Sequence, residues 1–449
     1  MLARKIWLDL GGVRRAEDTN VQRTTVAATS GTSIGRAASL PSRVGDLLSP
    51  RSTPGGFRLA AAVTTVVCAL CGLIGAAAIA ARDGSLDAAG TAARQLVDLQ
   101  EVRTAAVEAD SVAASSFLSR GGEQAVQRAR YEEQLGAATS ALAVVAQRAP
   151  TADIEALAAA NTSLASFSGL IEQSRANNRQ GFPVGAAYQR QASALVRSDL
   201  LPALDAVDLA SRERLNSSLG DSTRNAAIAV VALLVALAVL VVASLLLFRR
   251  TRRVINVPIA VGGALVVAAL AWSVFTLLPT GATVEETVDS DLSGADALAR
   301  ARAGAFDARS AESLTLINRG NGAANEADWL LADAEVLAAL DAACDRGRGA
   351  CLDDEWQAYR TEHENVRLLD DGGDYDDAVL LALSAAQSRF DEFTEPAEQA
   401  QRTRAEQVAA GFADARGPLG LLRWVVLVAG LGAAIAALVG FGQRLREYR

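Results

Sequence analysis

Histidine is all but missing from this chain. There is one, His363, along with one Lys, one Met and four Cys among 449 residues. Most zinc sites, Ser-His triads and His-based acid–base chemistry need more than that. Phosphate-cradling Gly-rich loops and kinase signatures are also lacking, so no catalytic residue, cofactor or metal is expected. The formal net charge is −8, which argues against a nucleic-acid partner. Aromatics make up only 5% of the chain, yet 51% of it is hydrophobic. The apolar residues are therefore aliphatic, and they are unevenly spread.

They gather in four runs: Leu59–Ala81, Asn225–Phe248, Val254–Leu278 and Leu419–Phe441. At about 1.5 Å per helical residue, each is long enough for a hydrocarbon core about 30 Å thick. Arg423 is the one ionisable residue well inside a run, in the first turn of the fourth beside Trp424, where it can snorkel. Leu59–Ala81 followed by Arg82 could alternatively be a signal peptide. Its length and the 58 residues before it favour a span.

Lys and Arg set orientation. Residues 1–58 carry nine Lys/Arg and four Asp/Glu, the linker 249–253 has four Arg, and the tail has Arg444, Arg446 and Arg449 against Glu447. Residues 82–224 hold 14 Arg and 17 acids; residues 279–418 hold 12 Arg and 29 acids. The expected protein is a multi-pass cell-membrane protein. Both termini and the linker are cytoplasmic, and segments 82–224 and 279–418 lie outside.

The order span, outer segment, span occurs twice. Arg120 in Ser116–Gly122 matches Arg319 in Leu316–Gly322, and Pro202 matches Pro396. This is the pattern of a duplication. Helical stripes recur (Tyr188, Ala192, Leu195; and Trp329, Val336, Leu337, Leu340 with a polar break at Asp333), and Gly and Pro clusters divide each segment in four. The fold class predicted is all-α, with four transmembrane helices and two extracytoplasmic four-helix bundles in tandem. The first and last helices of each bundle run on into the membrane. The turns at 120–122, 177–185, 319–322 and 370–377 then fall far from the bilayer, whereas Pro150 and Cys344–Cys351 fall near it.

Several residues admit two readings. Cys344 and Cys351, outside the cytoplasm, suit a disulfide, with free thiols as the alternative. Cys68 and Cys71 lie within the first span and read as packing residues rather than a metal site. Asp370, Asp371, Asp374, Asp376 and Asp377 crowd one turn. They suit a helix start, or a docking surface for a basic partner. His363, between Glu362 and Glu364, reads as part of a solvated face; flanking carboxylates also allow a pH-sensing role. Arg120 and Arg319 either cap a helix C-terminus or bind a carboxylate ligand. Pro202 and Pro396 are candidate helix bends. In the N-terminal segment, Ile6, Trp7, Leu10 and Val13 share a helical face suited to a membrane surface or partner. The Ser/Thr/Gly/Arg-rich residues 19–57 have the composition of disorder, with weak phosphosite patterns at Arg23-Thr24-Thr25 and Arg36–Ser39.

Bundles borne on paired spans suit signal transduction, because a partner that prefers one bundle geometry shifts the two spans. The tandem architecture, the stretch Asn178-Arg179-Gln180-Gly181-Phe182-Pro183-Val184-Gly185-Ala186-Ala187-Tyr188 and Leu200-Leu201-Pro202 resemble the GlnX-type membrane proteins of actinobacteria. The resemblance covers nearly the whole chain from residue 59. It implies an amino-acid sensing relay between a solute-binding lipoprotein (GlnH-type) outside and a soluble Ser/Thr protein kinase (PknG-type) inside. It supplies no catalytic residues. A homodimer is compatible with it. An accessory subunit of an amino-acid transport system and a structural envelope protein are the competing classes. Transport fits poorly, because four spans with almost no polar residue line no solute path.

Overall fold

The structure is a computed structural model. It describes residues 53–119, 125–181, 183–251, 256–319, 322–344 and 351–447. The N-terminal amphipathic face, the candidate phosphosites, Arg120 and the middle of the Cys344–Cys351 turn lie outside the described residues. Among the described residues there is no strand. The helices are α1 Thr53–Leu118, α2 Ala125–Arg148, α3 Ile154–Arg179, α4 Val184–Leu195, α5 Leu201–Thr251 and α6 Val257–Glu286, followed by α7 Ser293–Ile317, α8 Ala323–Cys344, α9 Asp353–Gly372, α10 Tyr375–Leu383, α11 Ala385–Arg416 and α12 Leu419–Glu447. A single π turn joins α4 to α5 (Val196–Leu200) and another joins α6 to α7 (Thr287–Leu292).

The apolar runs sit inside much longer rods. Gly55–Leu118 is unbroken helix, on the order of 95 Å long at 1.5 Å per residue. Five helices are long and apolar enough to cross a membrane, one more than the four runs read from the sequence. The fifth, Thr151–Arg179, is the least apolar of them, and it buries Leu157, Leu164, Phe167 and Ile171 in the core of the first bundle.

Beyond the runs, α1, α2, α3 and the α4–α5 rod form one bundle. The α6–α7 rod, α8, α9 and α10–α11 form the other. The two bundles share a core: Val102, Ala106, Phe167 and Leu200 belong to the same apolar cluster as Ala305, Phe306, Trp356 and Phe390. At its centre α1 and α7 lie side by side, each buried round nearly its whole circumference over residues 104–116 and 294–316. Encirclement explains why these helices are built from Ala, Ser and Gly. Larger side chains would hold the neighbours off on every side.

The junction also carries charge. Asp110 of α1 is buried and accepts hydrogen bonds from Ser193 Oγ (2.6 Å) and, across the junction, Ser310 Oγ (2.7 Å). Arg197 pairs with Asp307 at 2.7 Å, and Arg212 with Asp296 at 2.8 Å. Two further pairs correspond between the halves. Arg103 on α1 bonds Asp205 on α5, and Arg302 on α7 bonds Glu398 on α11 at 3.1 Å. Arg103 and Arg302 have the same spacing in sequence as Arg120 and Arg319.

The prolines are accommodated differently. Pro202 is the second residue of α5, one residue past the π turn, so the helix start absorbs its missing N–H. Pro396 lies inside α11, which continues through it; the rod is interrupted instead at Ser384 (φ −121°, ψ −90°). Cys344 and Cys351 are joined by a disulfide with their Cα atoms 5.1 Å apart; beside it, Ala343 packs on Ala297 and Leu298 of α7.

Among the apolar segments, α1 packs on α5 and α12, and α6 on α12 and α5. The tightest approach is Gly72 against Gly430. A Cβ on Gly430 would lie 2.3 Å from Gly72 Cα, and one on Gly72 2.8 Å from Gly430 Cα. Backbones this close gain dispersion contact that larger residues forbid, as in small-residue crossings of membrane helices. Cys68 and Cys71 are buried beside this crossing and unbridged. Val63, Val66, Leu70, Leu73 and Ile74 face outward, as a lipid-solvated helix requires.

The crossing generates a contrast of sign. Gly263 has nothing within 4 Å of an added Cβ. Gly263→Ala is expected to stabilise the chain by about 0.5–1 kcal/mol, through reduced freedom of the unfolded state. Gly430→Ala must push a pair of backbones apart and is expected to destabilise it by about 1–3 kcal/mol. Thermal unfolding of both variants in detergent reads the two signs.

Candidate functional site

Four helix ends meet at the end of the bundles far from the apolar runs. α1 stops at Leu118, where Ser119 N–H turns back to Ser116 O at 3.2 Å. α3 stops at Arg179 and closes through Gly181, whose φ of +72° a side chain would strain. α7 stops at Ile317, and Arg319 takes a φ of +40°, the one non-glycine residue with positive φ among the described residues. α10 begins at Tyr375.

These ends enclose a cavity of about 510 Å³, within the range of small-molecule sites (roughly 300–1,000 Å³). Phe117, Leu118, Ile317 and Val379 give it an apolar wall, and Ser119, Asn178, Arg179, Arg319 and Tyr375 its polar groups. The Arg319 guanidinium lies 4.5 Å over the Tyr375 ring. Asn178 Nδ2 donates to Phe117 O at 3.2 Å, tying α3 to α1. Arg190 donates to Asn318 Oδ1 at 2.9 Å and joins the two bundles beside the cavity.

Beneath it, two turns back along α7, lies a buried ionic core. Glu312 is 1% exposed and accepts from the Arg309 guanidinium, from Tyr359 Oη (3.4 Å) and from His363 Nδ1 (2.8 Å). His363 Nε2 is 3.4 Å from Glu326, which also meets Arg367 at 3.2 Å. The Trp329 ring stacks on His363, centroids 3.8 Å apart and nearly parallel. Burial works against charge on both groups. Arg309 and His363 nonetheless hold the Glu312 carboxyl below its usual range, and hydrogen bonds to Glu312 and Glu326 raise His363.

This corrects the solvated-face reading of His363, which is 2% exposed. Its neighbours in sequence do not decide its environment; Glu312 and Glu326, far upstream, do. The polar break at Asp333 is likewise buried, accepting from Trp356 Nε1 (2.8 Å) and pairing with Arg360 (2.9 Å), whereas Leu337 of the same stripe is exposed.

The acidic turn adjoins the cavity in sequence through Tyr375 but does not line it. Gly373 (φ +89°) ends α9, with Asp374 N–H bonding back to Leu369 O at 2.9 Å. Asp371 pairs with Arg367 at 2.7 Å, and Asp374, Asp376 and Asp377 are exposed. Of the residues singled out from sequence, the cavity takes up Arg319. Cys344 and Cys351 sit elsewhere, and with Asp353 form the one grouping of three metal-type ligands among the described residues. Both sulfurs are in the disulfide, so the grouping offers no thiolate. Arg179, Asn178 and Tyr375 carry no ligand signal of their own in the sequence, although Asn178 and Arg179 open the stretch that carries the family resemblance.

Residues 85–220, the first bundle, match the family described as the actinobacterial sensor domain. No curated protein and no solved structure matches the chain significantly. The match supports a sensor role, and the long apolar helices that carry the domain suggest a membrane protein.

The ionic core sets a pH dependence. A His whose folded pKa is raised above its ordinary 6.5 adds stability that is fully present below 6.5. That stability is lost as pH rises through the folded value. His363→Gln is therefore expected to cost on the order of 3 kcal/mol at pH 6, and the gap from the unaltered chain should narrow toward pH 9. Unfolding midpoints across that range check it; a gap that widens with pH would contradict the assignment.

Proposed function

We propose that the chain is a transmembrane sensor relay of the GlnX type. In this reading Leu59–Ala81, Asn225–Phe248, Val254–Leu278 and Leu419–Phe441 cross the membrane, both termini are cytoplasmic, and the bundles stand outside. A solute-binding lipoprotein engages the far end of the bundles, and a Ser/Thr protein kinase receives the signal inside. The chain itself performs no chemistry. The observation that carries the reading is the unbroken helix Gly55–Leu118, which joins an apolar span to the wall of the far-end cavity. A change in how the cavity closes is thereby a change in the position of a span. Rigid helices transmit such a shift where a flexible linker would absorb it.

Charge supports the outer partner. Segment 279–418 holds 29 acids to 12 Arg, and some of that excess is exposed at Asp371, Asp374, Asp376 and Asp377. Exposed charge of one sign steers association more than it stabilises a fold.

Two outcomes are expected. Single cysteines at the exposed positions Ser217 and Thr361 should react with a membrane-impermeant maleimide on whole cells; reaction only after lysis would overturn the topology. Replacing Asp371, Asp374, Asp376 and Asp377 together by Asn should slow lipoprotein association at low salt by roughly tenfold. Its salt dependence should shrink, and the unfolding midpoint should change little. Unaltered association kinetics would leave the turn a helix start and nothing more.

A further inference from the structure

Among the described residues, those lining the far-end cavity carry positive charge, in a protein that is acidic overall. The chain carries −8 overall, yet among the described residues the cavity wall has two guanidiniums, Arg179 and Arg319, and no carboxylate. Neither arginine forms an ion pair with a described residue. Arg103, Arg130, Arg197, Arg212, Arg302 and Arg309 of the bundles are matched by acids, whereas Arg82, Arg94 and Arg190 meet neutral acceptors. Both arginines are exposed at the rim of this open cavity, and an anion held between two cations is favoured by each of them.

The surroundings narrow the class of anion. The Arg319 guanidinium carbon lies 4.5 Å over the Tyr375 ring, a contact that holds the side chain at the cavity without using its N–H donors. Guanidinium edges match the planar oxygens of a carboxylate in paired hydrogen bonds. The apolar wall of Phe117, Leu118, Ile317 and Val379 suits a carbon skeleton rather than a bare inorganic ion. Arg179 and Asn178 come from the first bundle and Arg319 and Tyr375 from the second, so an occupant would touch both.

We propose that this cavity binds a small organic carboxylate directly, its charge shared between Arg179 and Arg319. The bound molecule draws the two bundles together at their far end. The assignment rests on the sensor reading and names the class of molecule sensed. It also separates these arginines from simple helix caps. A cap acts on its own helix end, whereas these two act on one ligand.

The test uses the full chain in detergent. Acetate, succinate, benzoate and citrate are titrated in calorimetry and thermal-shift assays, with succinamide as an uncharged counterpart of succinate. At least one carboxylate is expected to bind saturably and raise the unfolding midpoint, while succinamide does neither. Arg179→Gln and Arg319→Gln should each weaken that binding roughly ten- to a hundredfold, the loss expected for a charged hydrogen-bond partner. Their ligand-free unfolding midpoints should stay near that of the unaltered chain. The proposal is overturned if no carboxylate binds, if succinamide binds as well as succinate, or if either variant binds unchanged. A chain that labels from outside and captures its lipoprotein yet binds no carboxylate retains the relay reading and loses this one. A chain that binds succinate but labels only after lysis does the reverse.

Discussion

The architecture depends on two helix segments, 104–116 of α1 and 294–316 of α7, that are buried on nearly every side. Once α1 and α7 are surrounded, each polar group on them must find its partner within the protein, because an unpaired buried charge costs several kcal/mol. That requirement reaches outward. Glu108 and Asp110 of α1 need Arg130 and the hydroxyls of Ser193 and Ser310. Arg302 and Arg309 of α7 need Glu398, Gln401 and Glu312. Glu312 in turn takes Tyr359 and His363. The charged residues of the central pair thus dictate which faces the outer helices present. They also make the junction between bundles specific, where an apolar Ala-rich seam alone would tolerate sliding.

Much of this was legible in sequence, and the reasons are particular. Long apolar runs, Arg-rich linkers and Gly or Pro punctuation are local signals, so the all-α class and the rods that leave the apolar segments could be read directly. Arg319 stood out because it repeats Arg120. His363 was misread because Glu362 and Glu364 flank it, whereas its partners lie on α7 and α8. The central helices hid for a related reason. A segment such as Thr104–Ser116 has no apolar stripe, since every face is buried, and small residues on every face give no period to detect. The cavity was hidden too. It is made by four helix ends far apart in sequence, and only one of its two arginines carried a mark.

The rods explain why a sensor would be built this way. Helices that continue from cavity wall to apolar segment leave little slack in which a displacement could be lost. Among the described residues, interruptions fall within the bundles at the π turns Val196–Leu200 and Thr287–Leu292 and at Ser384, and at Gly417–Pro418, where α11 gives way to the apolar helix α12. Local adjustment is therefore concentrated in the α4–α5, α6–α7 and α10–α11–α12 rods, and α1 passes straight through.

The packing of the apolar segments has one more consequence. α1 of the first half lies against α12 of the second through Gly72 and Gly430, and α5 lies against α6. Each half thus sets its first apolar segment against the last one of the other. Two copies of one half related by a twofold axis would make the same contacts. The twofold is not kept at the junction of the bundles, where Asp110 of the first half faces the Ser310 hydroxyl of the second. A strict twofold would set two buried carboxylates against each other there, and they would repel.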